Sequence, residues 1–364
     1  MDRRSQQRQG GQESVARLPY FIPEQVYLLT IMPKKPHLPT LAGAAAAFVI
    51  SATLAFVPGV SAQPLPSGWL AVGDVSASKP VAAKPRLPAS ARSDDGATVK
   101  VTDAARVIAG GDDVIGIMEA LGLGGNVFAA PTSAVTAAGR KAPHHFLFNR
   151  TTGAEGVLSL DGTLFLGNSL RRHGKLAETL RSTGLPALVV DDLQPAPQKI
   201  RKVAAIFGLN AEGEAIARGV EKQEAEAVAI AKALPRKPRV IHVSATGGGG
   251  KPVVGGKDTA AANLIRLAGG VNIGDETKTS DYSALSNEGV VVAAPDIVLL
   301  TRSDLELFGG EAGLWRSYPT LKQTPAGEKN QVWVMPDEQL KIVGVHSGTG
   351  AIALAKAFKA FTAK

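Results

Sequence analysis

From residue 105 onward the hydrophobic positions follow two alternating patterns. Short unbroken apolar runs at 106–109, 127–129, 163–167, 186–191, 239–244 and 297–300 are bounded by Gly, Pro or Asp. Runs of that kind predict strands buried on both faces of a parallel sheet. Between them, 114–121 and 175–182 place apolar residues at helical spacing and close on Gly122 and Gly184. Asp112 or Asp113 is the expected N-cap of the first of these helices. Residues 197–234 contain almost only helix formers, lightly broken at Gly208 and Gly213 and ended by Pro235 and Pro238. The part from 212 to 234 alone predicts a helix longer than about 30 Å.

The series after that helix repeats the one before it. EALGLGGNV at 119–127 pairs with IRLAGGVNI at 265–273, and GAEGVLSL at 153–160 pairs with SNEGVVVA at 286–293, in the same order. The expected fold is α/β: two Rossmann-like lobes with central parallel sheets, joined by one long backbone helix, with a ligand cleft between the lobes. The expected divisions are an N-terminal extension plus signal peptide at 1–62, a flexible lead-in at 63–104, lobes at 105–196 and 236–364, and a linking helical segment at 197–235. The lead-in is rich in Pro, Ala, Ser and Lys and shows no periodicity.

Upstream, residues 41–57 form an uncharged apolar run with Lys34 and Lys35 before it and Val60-Ser61-Ala62 after it. That order is the n-region, h-region and cleavage site of a secretory signal peptide, with Met32 an alternative start. Export fits a chain with no cysteine, because an oxidising compartment favours paired cysteines or none. Lack of cysteine also excludes disulfides, thiolate-held zinc, iron–sulfur clusters and a cysteine nucleophile. Formal charge is +8 over the whole chain, but residues 1–62 hold six basic and three acidic residues, leaving +5 on the remainder. No basic run with interleaved aromatics is present, so no nucleic-acid partner is expected.

No G-x-S-x-G elbow, H-E-x-x-H or Walker loop is present, which argues against an enzyme. The Gly247–Gly250 run reads as a flexible cleft loop. His242 lies in an apolar strand and reads as a core histidine; His173, beside Arg171 and Arg172, reads as a surface helix start; Tyr318 reads as a packed loop anchor. The repeat aligns the loop holding His144, His145, Phe148 and Arg150 with the loop holding Tyr282. Imidazole and phenolate both ligate iron, and Arg pairs with carboxylates.

These segments resemble the periplasmic haem-binding proteins of bacterial haem ABC importers, in the helix-linked class that also serves cobalamin and siderophores. The resemblance rests on RVIAGGD at 106–112, Arg150 through GAEGVLSL, TAAANLIRLAGGVN at 259–272, and LSNE at 285–288 through APD at 294–296, and it covers residues 105–364. It implies a periplasmic monomer that takes haem as its ligand and delivers it to an inner-membrane permease and its ATPase. It implies Arg150 near a propionate and a first-lobe iron ligand at Phe148, a residue that cannot coordinate. His145, then His144, are the substitutes, with Tyr282 as a second-lobe ligand. Glu155 and Glu288 match the glutamates that pair with permease arginines. Another metal chelate, a siderophore or cobalamin, is the alternative cargo, and a secreted α/β enzyme the more distant one.

Overall fold

The computed structural model describes residues 64–75, 80–147, 153–246, 253–276, 280–284 and 286–363. The apolar leader at 41–57, Phe148, Arg150 and the Gly247–Gly250 run lie outside them. Ahead of the first lobe come β1 (Leu70–Ala71), β2 (Ala89–Arg92) and β3 (Thr98–Val101). The first lobe runs β4 (Val107–Ala109), α1 (Asp112–Ala120), β5 (Val127–Pro131), α2 (Ala137–Lys141), β6 (His144–Phe146), α3 (Ala154–Leu158), β7 (Leu164–Gly167), α4 (Leu170–Ser182) and β8 (Ala187–Val189). Two helices follow, α5 (Ala196–Ile206) and α6 (Asn210–Lys232).

The second lobe opens with β9 (Arg239–Ser244), β10 (Val253–Gly255), α7 (Ala260–Leu267), β11 (Val271–Asn272), β12 (Tyr282–Ser283), α8 (Asn287–Ala293) and β13 (Ile297–Thr301). It continues through α9 (Arg302–Phe308), α10 (Glu311–Ser317), α11 (Pro325–Glu328), β14 (Val332–Met335), α12 (Asp337–Leu340) and α13 (Ser347–Thr362).

The first-lobe sheet is wholly parallel, in the order β6-β5-β4-β7-β8. Strands β4, β7 and β8 are buried along their full length, which explains why they read as unbroken apolar runs. One face packs α1, α5 and α6 in a core with Val114, Ile117, Met118, Ile200 and Val203. The other packs α3 and α4 through Val157, Leu176 and Leu180 on Phe165.

The second-lobe sheet departs from the expected parallel pattern. Its order is β1-β14-β13-β9-β10-β12, with β11 also on β9, and β10 alone is reversed, antiparallel to both β9 and β12. Four shorter departures have local causes. Neither Asp112 nor Asp113 caps α1 through its side chain; Gly111 is the N-cap, and both carboxylates are engaged elsewhere. The linking segment is two helices, turned at Gly208, where φ is +69° and a Cβ would lie 2.3 Å from the Arg86 carbonyl oxygen. The second of them, about 34 Å long at 23 residues, lies against α13. His173 is fully buried rather than a surface residue.

The fourth departure is the stretch expected as a flexible lead-in, which is built into both lobes. Trp69 is buried in the second-lobe core, its indole N–H donating to Asn330 at 3.1 Å, and β1 adds a parallel strand to β14. Further on, Val81 N–H bonds Ala120 O, Arg86 N–H bonds Phe207 O, and the β2–β3 hairpin packs on α5 of the first lobe. The chain therefore crosses between the lobes twice, once in this strap and once in α5–α6. No helix among the described residues is long and apolar enough to cross a membrane.

Candidate functional site

In open α/β sheets ligands bind beyond the carboxyl ends of the strands. At those ends the two lobes present different chemistry. Beyond β4 and β7 of the first lobe lies a buried polar cluster. Asp113 makes a buried ion pair with Lys199 of α5 and accepts from Asn168 Nδ2 at 2.9 Å. The Asn168 backbone N–H donates to His173 Nδ1 at 3.1 Å, so that ring carries its proton on Nε2. Burial, assisted by Arg172, brings the His173 imidazole down to about 4. Close packing leaves no room for side chains at Gly110 and Gly167, where a Cβ would lie 2.9 Å from His173 Cε1 and 2.7 Å from His173 Cβ.

Just outside this cluster, at the start of α4, Arg172 pairs with Asp192 at 3.1 Å, and burial pushes the Asp192 carboxyl up to about 6. Arg171 reaches across to the second lobe and pairs with Asp281 at 2.8 Å. Asp281 in turn accepts from the Tyr282 backbone N–H at 2.9 Å. Tyr282 is thus placed one residue from an ion pair between the lobes.

Tyr282 sits on β12, half-buried, and its hydroxyl is 3.4 Å from His242 Nε2 on β9. His242 Nδ1 lies 3.0 Å from Leu299 O. That bond puts the His242 proton on Nδ1 and leaves Nε2 to accept from the phenol. Burial brings His242 down to about 4 and pushes the Tyr282 phenol far up, so both groups are neutral. The rings meet edge to face at 5.8 Å. Behind them Asp304 accepts from Ser244 Oγ and Ala245 N–H, both at 2.9 Å, and pairs with Lys341 at 2.6 Å. Burial raises the Asp304 carboxyl, but Lys341, His242 and the hydrogen bonds outweigh it, and the net shift is downward.

The first-lobe histidines occupy the edge strand β6 with diverging rings, as adjacent strand residues must. His145 Nε2 lies 3.0 Å from Gly139 O of α2, while His144 packs edge-on against Phe128 at 4.6 Å. Both contacts are internal to the first lobe; no described contact brings either ring to Tyr282. Phe148 and Arg150 follow β6 but lie outside the described residues. Glu155 and Glu288 are exposed on α3 and α8. The repeat holds in three dimensions there: Val157 and Val290 are fully buried, and Leu158 and Val291 are 38% and 37% exposed. A separate space of about 1060 Å³ lies between α1, α2 and residues 338–346, with Glu119, Arg140 and His346 among its lining; Tyr282, Arg171 and Asp281 do not line it.

Sequence reasoning passed over three members of this arrangement. Arg171 and Asp281 carry no motif of their own. Their signal is positional, since Arg171 follows the carboxyl end of β7 and Asp281 directly precedes β12. His173 had a stronger signal: with Leu176, Ala177 and Leu180 it completes the spacing of a buried helical face.

None of the curated proteins matches the chain. Among solved structures it is similar to the periplasmic heme-binding protein RhuT from Roseiflexus sp. RS-1, with 30% identity and a TM-score of 0.63 over 71% of this chain and 99% of that one. It is similar to the heme-binding protein HmuT, with 25% identity and a TM-score of 0.67 over 80% and 97%. A third likeness is to the periplasmic heme-binding protein BhuT in complex with two hemes, with 26% identity and a TM-score of 0.60 over 70% and 98%. The family model described as periplasmic binding protein matches residues 107–339. With the two lobes, the helical link and the facing strand ends, that match places the chain in the periplasmic binding protein family.

Proposed function

We propose that the protein captures haem between its lobes and delivers it to an ABC importer of the inner membrane. The observation that carries this reading is the Tyr282 phenol, set beside the lobe-to-lobe contact and hydrogen-bonded to a neutral His242. A phenolate is an established iron ligand, and the similar solved structures are heme-binding proteins. Tyr282 is the axial ligand in this reading. His145 and His144 are the first-lobe candidates, each needing its present first-lobe contact to break, and Arg150, two residues after Phe148 in sequence, is a propionate partner. Affinity comes from burying the apolar macrocycle, with one or two iron bonds and carboxylate contacts setting its orientation. No group on the chain performs covalent chemistry in this role.

The exposed Glu155 and Glu288, one per lobe on matching helices, dock on basic residues of the permease, whose ATPase drives release. The 41–57 run directs export and is removed, leaving a periplasmic monomer.

Titration of the mature protein with hemin, followed in the Soret region, tests the reading. A saturable stoichiometric band that shifts in Tyr282→Phe supports it. A titration indistinguishable from that of an unrelated protein overturns it in favour of another metal chelate.

A further inference from the structure

Among the described residues one side-chain ion pair joins residues 105–196 to residues 236–364, and it is Arg171 with Asp281, at 2.8 Å. Its setting is unlike that of its neighbour. Arg172 and Asp192 are about one-third exposed, both belong to the first lobe, and Arg172 also reaches Asn168. Arg171 and Asp281 are 61% and 57% exposed and belong to opposite lobes, Arg171 beyond the carboxyl end of β7 and Asp281 directly before β12. The Asp281 carboxylate has a second bond of its own, from the Tyr282 N–H, and keeps it without the arginine. An exposed pair of this kind contributes little to stability and exchanges partners readily. A guanidinium held at the rim by the residue next to the proposed iron ligand suits a carboxylate that arrives on a ligand's edge, because Arg binds planar carboxylates bidentately.

We infer that Arg171 is a carboxylate-binding site at the cleft rim and that Asp281 occupies it in the ligand-free protein, so that loading trades an inter-lobe ion pair for a protein–ligand one. The inference rests on the haem reading. It gives the ligand class more sharply than the fold does: a flat apolar metal chelate with at least one free carboxylate near its edge. It also makes loading loosen the lobe-to-lobe contact at this rim.

The test compares hemin with hemin dimethyl ester, whose propionates are blocked, on the mature wild-type protein and on Arg171→Gln and Asp281→Asn. Arg171→Gln is expected to weaken hemin about tenfold, the size of one charge-assisted contact, and to leave the ester unaffected. Asp281→Asn frees the guanidinium and is expected to tighten hemin by roughly threefold. Raised salt weakens hemin binding to wild type more than binding to Arg171→Gln. Equal losses for hemin and ester in Arg171→Gln, or no loss for either, would overturn the carboxylate site while leaving haem binding intact. Absence of saturable hemin binding to the wild-type protein would overturn the haem reading and this inference together.

Discussion

The Tyr282 hydroxyl lies 3.4 Å from His242 Nε2, and His242 Nδ1 is fixed on Leu299 O at 3.0 Å. A carbonyl on β13 therefore sets the tautomer that a phenol on β12 meets. Tyr282→Phe removes the proposed iron ligand and one long hydrogen bond, but little packing. Hemin affinity should fall at least about tenfold, as for loss of a group that tunes a metal site. Unfolding free energy should change by less than about 1 kcal/mol. Soret titration and urea unfolding of one preparation check both.

The Asp113–Lys199 pair is the most deeply buried ion pair described, with both side chains almost inaccessible. Removing one partner strands a charge. Lys199→Met should cost about 3–5 kcal/mol in denaturant unfolding. Adding Asp113→Asn should recover a large part of that loss, because the stranded carboxylate is then neutral and still accepts from Asn168. If the double variant is no better than Lys199→Met, charge stranding is not the cause.

His173 titrates near 4 in the folded chain, below the ordinary histidine value. The unfolded chain therefore holds one more proton than the folded one between about pH 6.5 and 4, and His173 makes stability fall as pH drops through that window. Asp192, raised to about 6, acts in the opposite direction over much of it. The contribution of His173 therefore shows as a difference. The His173→Gln slope of unfolding free energy against pH should be smaller than wild type by up to about 1.4 kcal/mol per unit. Glutamine retains an acceptor for the Asn168 N–H, and urea titrations from pH 4 to 7 give the two slopes.

Glu155→Gln and Glu288→Gln remove one exposed carboxylate from each lobe. Each should lower stimulation of a reconstituted permease–ATPase complex by the hemin-loaded protein, and the double variant more than either. Hemin titration should be unchanged, because both residues lie on outer helices. Full stimulation by the double variant would remove these glutamates from the docking surface.

The first-lobe sheet and the long helix were legible because each buried element carries its own apolar pattern. Leu164–Gly167 is buried at every position and reads so. The strap was not, because its strands are short and only half-patterned: Thr98–Val101 alternates exposed and buried over four residues, and Leu70–Ala71 is exposed throughout. Such segments are held by partners far away in sequence, which no local window reports. The site was legible in part. Tyr282 stood out as a rare tyrosine, and His242 was correctly read as buried. Their meeting depends on a reversed strand, β10, lying between β9 and β12, and Gly255 on β10 is what lets the rings approach, since a Cβ there would come 2.9 Å from His242.

Trp69 finds its hydrogen-bond acceptor, Asn330, 261 residues further along. Its strand joins the edge of β14, which does not exist until residue 335 has been made. Loop closure over such a separation comes late in folding. The earliest described part of the chain thus docks only after β14 has been made. Both lobes must be standing before it ties them together, and an emerging chain travels without that tie until its synthesis is nearly finished.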